Sequence, residues 1–350
     1  MIKKPIDKVK GSLIGGAVGD TLGYNVEFMS YNRILMKYGK IGITRYELYD
    51  GVAEFSDDTQ MTLYTACGLL NAVKNDCDIV SSISRAYVEW LYTQGDLTYR
   101  PYNECKITDI KRLHSRRAPG ITCITALTHI ANGQKPINNS KGCGGIMRIS
   151  PIPLYGVLHG WDIEKCDKLA ADASKLTHQH PLGYMPSALL SHIIFRVIEN
   201  ECIDRNTLVD YIDEGFDVLC SMYAKHNNTL SELSRIVNMA INLANSSVND
   251  IDAIRKIGEG WVAEETLAIA IYCTLKHFDS FEDAIVASVN HSGDSDSTGA
   301  VTGNIMGALL GFSAIPDHYR KDLELIETLE DIAEGISSDN QHTTILTYKI

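Results

Sequence analysis

Two short acidic segments near opposite ends of the chain carry the side chains best suited to chemistry. One is Ser56-Asp57-Asp58-Thr59, the other Asp294-Ser295-Asp296-Ser297-Thr298. Each places two carboxylates beside hydroxyls, a set of hard oxygen donors that suits Mg²⁺ and similar cations, with water completing the coordination. If folding brings the segments together, four carboxylates repel one another strongly unless cations neutralise them. A pair of metal ions meets that need. Taken singly, each segment also has a plainer reading. Ser, Asp and Thr cap helix N-termini, and Asp is favoured at the positive end of the helix dipole. The readings are compatible, because a capping segment can present successive carboxylates at the tip of its helix. Phe55, just before the first cluster, reads as a hydrophobic staple in either case.

Other stretches place polar residues in unusual surroundings. Asp20 lies among Gly15, Gly16, Gly19 and Gly23 in an apolar run, and a buried carboxylate needs hydrogen-bond partners or a cation. Glu27, just beyond Gly23, reads either as solvated or as hanging over a cleft. The segment Lys141-Gly142-Cys143-Gly144-Gly145-Ile146-Met147-Arg148 is glycine-rich, and bare backbone N–H groups in such turns can cradle phosphate oxygens. Arg148 could serve a phosphate or pair with a structural carboxylate. His178 and His180 suggest zinc, but no cysteine or third histidine stands at suitable spacing. They read as structural or substrate-contacting histidines. No Gly-x-Ser-x-Gly nucleophile elbow occurs.

Helices must position these groups. Apolar residues recur at helical spacing over 57–73, 79–92, 162–176, 187–199, 229–243, 264–276 and 281–289. No series of alternating strands and no β-α-β alternation appears. Gly11, Gly15, Gly16, Gly19 and Gly23 punctuate a first helix, and Gly303, Gly307 and Gly311 a late one. Each interior glycine costs a helix about 1 kcal/mol relative to alanine. Close helix–helix approach is the expected compensation, so both read as central helices of a bundle rather than as phosphate loops. The 350 residues read as one all-α domain over 1–350.

Composition narrows the function. Hydrophobic residues make up 45% and charged residues 22%, enough for a sizeable core. A net charge of −12 argues against binding nucleic-acid backbones, which needs basic surface. The start, Met1-Ile2-Lys3-Lys4-Pro5, does not read as a signal peptide. No apolar run reaches the length of a membrane span; the nearest, 305–315, is short and glycine-rich. Nine cysteines without CxxC pairing fit reduced thiols and a cytoplasmic setting.

Together these segments resemble the ADP-ribosylhydrolase family, which includes the dinitrogenase reductase-activating glycohydrolases and the ADP-ribosylarginine hydrolases. The matching stretches are GSLIGGAVGDTLGYNVEF (11–28), FSDDTQMT (55–62), RRAPGITC (116–123) and KGCGGIMRISPI (141–152). They continue with THQHPLGY (177–184), GWVAEETLAIAIYC (260–273) and NHSGDSDSTGAVTGNIMGALLG (290–311). The resemblance implies a compact, roughly orthogonal all-α bundle with two Mg²⁺, or Mn²⁺, in a central cleft. By motif position the metal ligands fall on Ser56, Asp57, Asp58, Asp294, Asp296 and Ser297. Substrate contacts fall on Gly142, Cys143, Gly144, Gly145 and His178; Cys143 stands where some relatives carry an Asn-like residue.

The chemistry so implied is Mg²⁺-dependent hydrolysis at C1″ of the distal ribose of ADP-ribose, carried on a modified protein or small molecule. ADP-ribosyl-arginine is the leading substrate. Glu27, Asp58 and Asp296 are the catalytic candidates, with Glu27 and Asp296 alternative proton acceptors. Other readings are a hydrolase of a different ADP-ribosyl linkage, an immunity factor against an ADP-ribosyltransferase toxin, and a non-catalytic binding relative. Neither nucleic acid nor membrane is an expected partner.

Overall fold

A computed structural model describes residues 3–338. Met1, Ile2 and residues 339–350 lie outside it, and with them the ends of the expected 1–350 domain. Helices run α1 (Lys3–Tyr24), α2 (Tyr31–Tyr38), α3 (Asp57–Lys74), α4 (Ile79–Thr93), α5 (Ile121–Ala131) and α6 (Pro151–Leu158). There follow α7 (Ile163–Lys175), α8 (Pro181–Glu199), α9 (Arg205–Met222), α10 (Asn227–Ala244) and α11 (Asp250–Ile257). The last are α12 (Ala263–Lys276), α13 (Phe281–Val289), α14 (Ser295–Leu310), α15 (Asp317–Arg320) and α16 (Ile326–Ser337). Among the described residues, strand-like pairing is confined to isolated bridges, including Gly142 with Val262. The all-α expectation holds.

The glycine-punctuated helices α1 and α14 pack antiparallel with their backbones touching. A Cβ at Gly11 would collide with the Gly307 carbonyl, at Gly15 with Gly303, at Gly19 with Gly299, and at Gly23 with Ser295. Small residues every fourth position on both helices permit this approach, and the contact offsets the helix propensity they forfeit. The C-terminal end of α1 is thereby pinned to the N-terminal end of α14.

Polar caps set most helix starts. Ser56 begins α3 by accepting from Asp58 N, Asp78 begins α4, Asp162 α7, Asp204 α9, Asn249 α11, Ser280 α13 and Asp294 α14. The predicted helix over 187–199 begins earlier, at Pro181, because proline is favoured in the first turn and His180 caps it. Pro186 gives up one helical hydrogen bond and the helix continues. Phe55 is buried but does not staple. The fourth helical position is Gln60, whose side chain bonds Trp90 Nε1 and the Ser115 carbonyl instead.

Candidate active site

Asp20 joins the two acidic segments. It projects from α1 toward the start of α3, where it accepts from Ser56 N at 2.9 Å, Thr59 N at 2.9 Å and Thr59 Oγ1 at 2.5 Å. The structural reading of this buried carboxylate is the one realised. Burial first, then the Asp296 carboxylate, raises its pKa to about 7, against the opposing pull of these hydrogen bonds. Beyond Gly23 the chain turns and delivers Glu27 beside α14. Ligand oxygens of Glu27, Asp294 and Asp296 lie within 4.8 Å of one another. One helix therefore holds α3 through Asp20 and meets α14 through Gly23.

The two clusters line one cavity of about 370 Å³. Glu27, Asp57, Asp58, Asp294 and Asp296 face it together with Ser297. Both helix N-termini point at it, and each brings about half a positive charge toward the carboxylates. Burial and the neighbouring carboxylates nevertheless push Asp57, Asp58 and Asp294 well above the ordinary carboxylate range. Glu27 is pushed up to about 12, by burial first and then by Asp296 and Asp294. No lysine or arginine lines this cavity among the described residues. Asp58 Oδ2 and Glu27 Oε2 are buried and lack a hydrogen-bond partner. Orphaned oxygens, mutual repulsion and an all-oxygen donor set fit a hard divalent cation.

The structure treats the two hydroxyl candidates differently. Ser297 lines the cavity, and its backbone N–H donates to Asp294 Oδ1 and Asp296 Oδ1. Ser56 is fully buried, and its Oγ accepts from Asp58 N at 3.2 Å, which leaves it a second lone pair.

The glycine segment forms a 3₁₀ turn over Cys143–Arg148 rather than an open loop. Two backbone bonds fix it against the segment before α12, and a third ties that segment to the start of α14. Cys143 N donates to Trp261 O, Ala263 N to Lys141 O, and Asp294 N to Glu259 O. Gly142, Cys143 and Gly144 line the cavity, while Gly145 lies behind it, its carbonyl accepting from Ser174 Oγ at 2.9 Å. Cys143 Sγ sits 2.7 Å from Asp294 Oδ2, and burial and that carboxylate hold the thiol protonated as the donor. A methyl group at Gly142 would stand 3.3 Å from His178 Nε2, and one at Gly144 2.9 Å from Cys123 Sγ and 3.0 Å from His178 Cε1, so bare backbone keeps this ring uncrowded. His178 lines the cavity, whereas His180 accepts from Leu182 N as the cap of α8; the two do not form a metal pair.

A family model described as ADP-ribosylglycohydrolase matches residues 1–344. The chain belongs to the ADP-ribosylglycohydrolase family. It is 25% identical over 353 residues to ADP-ribosylhydrolase ARH3 of Danio rerio, covering 95% of this chain and 90% of that one. It is also 25% identical to ADP-ribosylarginine hydrolase Tri1 of Serratia proteamaculans, over 95% of this chain and 79% of that one. A solved structure described as an ADP-ribosylglycohydrolase-related protein complex superposes with a TM-score of 0.64 at 21% identity, covering 96% of this chain and 98% of that one, which supports the fold.

Several residues of this ADP-ribosylglycohydrolase cavity were not singled out from the sequence. Phe28, Ile121 and Trp261 form an apolar rim, 68%, 84% and 38% exposed. Phe28 and Trp261 stack with ring centroids 5.6 Å apart at 21°. Phe28 does so with φ at 64°, a conformation side chains other than glycine adopt at a cost. Thr122, Cys123 and Met147 also line the cavity. Their signal was present, since all six lie in or beside the stretches that carry the family resemblance. Arg117 braces the site from behind, bonding the Phe55 carbonyl and pairing with Glu324 and Glu54, while its own carbonyl accepts from Asp57 N.

Proposed function

We propose that this ADP-ribosylglycohydrolase cleaves the glycosidic bond between the distal ribose of ADP-ribose and a modified side chain, arginine being the leading one, with divalent cations held in the acidic cavity. The observation that carries the reading is the convergence of Glu27, Asp57, Asp58, Asp294 and Asp296 on one cavity that, among the described residues, is lined by no lysine or arginine. Arginine is favoured because it is the linkage named for a relative that matches along nearly the whole chain.

Asp57, Asp58, Asp294 and Asp296, with the Ser56 and Ser297 hydroxyls, would hold two Mg²⁺, with Mn²⁺ as substitute. When bound, such ions orient ribose hydroxyls and water and lower the pKa of that water. Glu27 offers an unpaired, buried Oε2 as proton acceptor. Its proton affinity falls once Asp294 and Asp296 are neutralised, because their charges follow burial in raising it. Gly142 N donates to Ser140 Oγ and Cys143 N to Trp261 O, so Gly144 N, at the cavity wall, is the group of the 142–145 turn that would receive the diphosphate. The exposed Phe28 and Trp261 rings form part of the mouth, where the modified side chain would enter.

The test is release of ADP-ribose from ADP-ribosyl-arginine and ADP-ribosyl-serine peptides in the presence of Mg²⁺. Release from the arginine peptide, abolished in Asp57→Ala and Asp58→Ala proteins that still fold, is expected. Release from the serine peptide alone would transfer the assignment to that linkage. No release from either, or full activity of both variants, would refute the reading.

A further inference from the structure

Arg148 is the odd member of the glycine segment. Its side chain is fully buried, yet among the described residues no carboxylate lies within ion-pair distance. Instead Nη1 contacts Met61 Sδ at 3.2 Å and Cys123 Sγ at 3.5 Å, and the guanidinium lies 4.3 Å from the centre of the Tyr87 ring. Its short polar contact is Nη2 to Thr177 Oγ1 at 2.6 Å. A buried cation with no carboxylate partner is costly even with a ring face and hydrogen bonds around it, so its placement calls for an explanation beyond packing.

The Thr177 hydroxyl supplies one. Arginine only donates, so Oγ1 accepts from Nη2 and keeps a single proton to give away. Two strong acceptors are near, His178 Nδ1 at 2.9 Å and the Ser174 carbonyl at 3.4 Å; the third neighbour, the Cys123 thiol, is a weak acceptor. Ser174 O already accepts from Thr177 N at 3.1 Å and His178 N at 3.0 Å, which occupies both of its lone pairs. The hydroxyl proton therefore goes to Nδ1. A proton on Nδ1 itself would also point its positive edge toward the Arg148 charge, which the field of the guanidinium disfavours. Among the described residues none hydrogen-bonds Nε2, which faces Gly142 and Gly144 at the cavity wall.

We propose that Arg148 and Thr177 are positioning residues that lock His178 as the tautomer with its proton on Nε2, so that the ring donates a hydrogen bond to an anionic oxygen held over the 142–145 turn. The identity of that oxygen, a diphosphate oxygen of ADP-ribose, rests on the function proposed above; the tautomer does not. The opposite tautomer would turn a lone pair toward the anion. Burial, aided by Arg148, lowers the His178 pKa to about 3, so the ring stays neutral and its tautomer matters.

Long-range ¹H–¹⁵N correlation spectra of the full-length protein labelled at histidine read the tautomer directly, with His178→Phe assigning the signal. The expected result is unprotonated Nδ1 and protonated Nε2 in the ligand-free protein. A proton on Nδ1 overturns the proposal whatever the substrate is. Calorimetric titration with ADP-ribose and Mg²⁺ gives a second reading. Thr177→Val should weaken binding about tenfold and Thr177→Ser no more than about twofold, from the typical worth of a hydrogen bond to a charged group. In a His178→Phe background Thr177→Val should cost nothing further, because its effect travels through the ring. Equal losses in both backgrounds would assign Thr177 a purely structural role and overturn the relay. Wild-type protein that fails to bind ADP-ribose would sink the functional reading instead, and the spectrum alone would then decide the tautomer.

Discussion

Single residues here serve two masters, and the structure shows which demand each satisfies. Ser56 and Asp294 cap helices, as their types suggest, and Asp294 also faces the cavity. Asp58 faces the cavity with an oxygen left without a partner. Asp58→Ala should lower turnover by at least about a hundredfold while leaving the fold intact, checked by ADP-ribose release and circular dichroism. His178 carries a pH signature of its own. Its folded pKa of about 3 lies below the ordinary histidine value of 6.5. Between those values the unfolded chain binds a proton that the folded ring refuses. The contribution to stability is therefore complete above about pH 6.5 and drains away as pH falls, by up to about 1.4 kcal/mol per pH unit. Urea unfolding between about pH 7 and about pH 5 should show a shallower acid loss for His178→Phe than for the wild type.

Helices were legible wherever an apolar stripe and a polar start coincided. The range over 281–289 matches α13, and 57–73 falls one residue short of the end of α3. Helices α2, α5, α6, α9, α11, α15 and α16 are not named from the sequence. In α9 the apolar spacing is present, at Leu208, Ile212, Gly215 and Leu219, but it includes a glycine and is surrounded by charge. The glycine series on α1 and α14 could be read for what it permits, close approach, but not for its partner, because small residues carry no register of their own. Backbone contact makes the pairing testable. Gly303→Val would drive a side chain into the Gly15 carbonyl and should destabilise the protein by about 3 kcal/mol, read from the shift in urea midpoint.

At the scale of the molecule, the antiparallel pairing of α1 with α14 and the reach of Asp20 to α3 assemble one acidic cavity from segments more than 200 residues apart in the chain. Among the described residues no helix is long and apolar enough to cross a membrane. A charge concentration of this kind makes stability responsive to cations. Mg²⁺ at a hundredfold excess over its dissociation constant should raise stability by about 2.7 kcal/mol, seen as a higher thermal midpoint that EDTA reverses. EDTA should likewise abolish ADP-ribose release, and Mg²⁺ or Mn²⁺ should restore it. The sequence alone determined the helical class, the caps and the identity of the acidic side chains, because periodicity and side-chain chemistry are local properties. Only the tertiary structure decided that Asp20 is a tether, that Glu27 faces the cavity, and that Phe28 and Trp261 share its mouth. Those outcomes depend on which backbone meets which across the fold, and helical spacing specifies a face without specifying what lies against it.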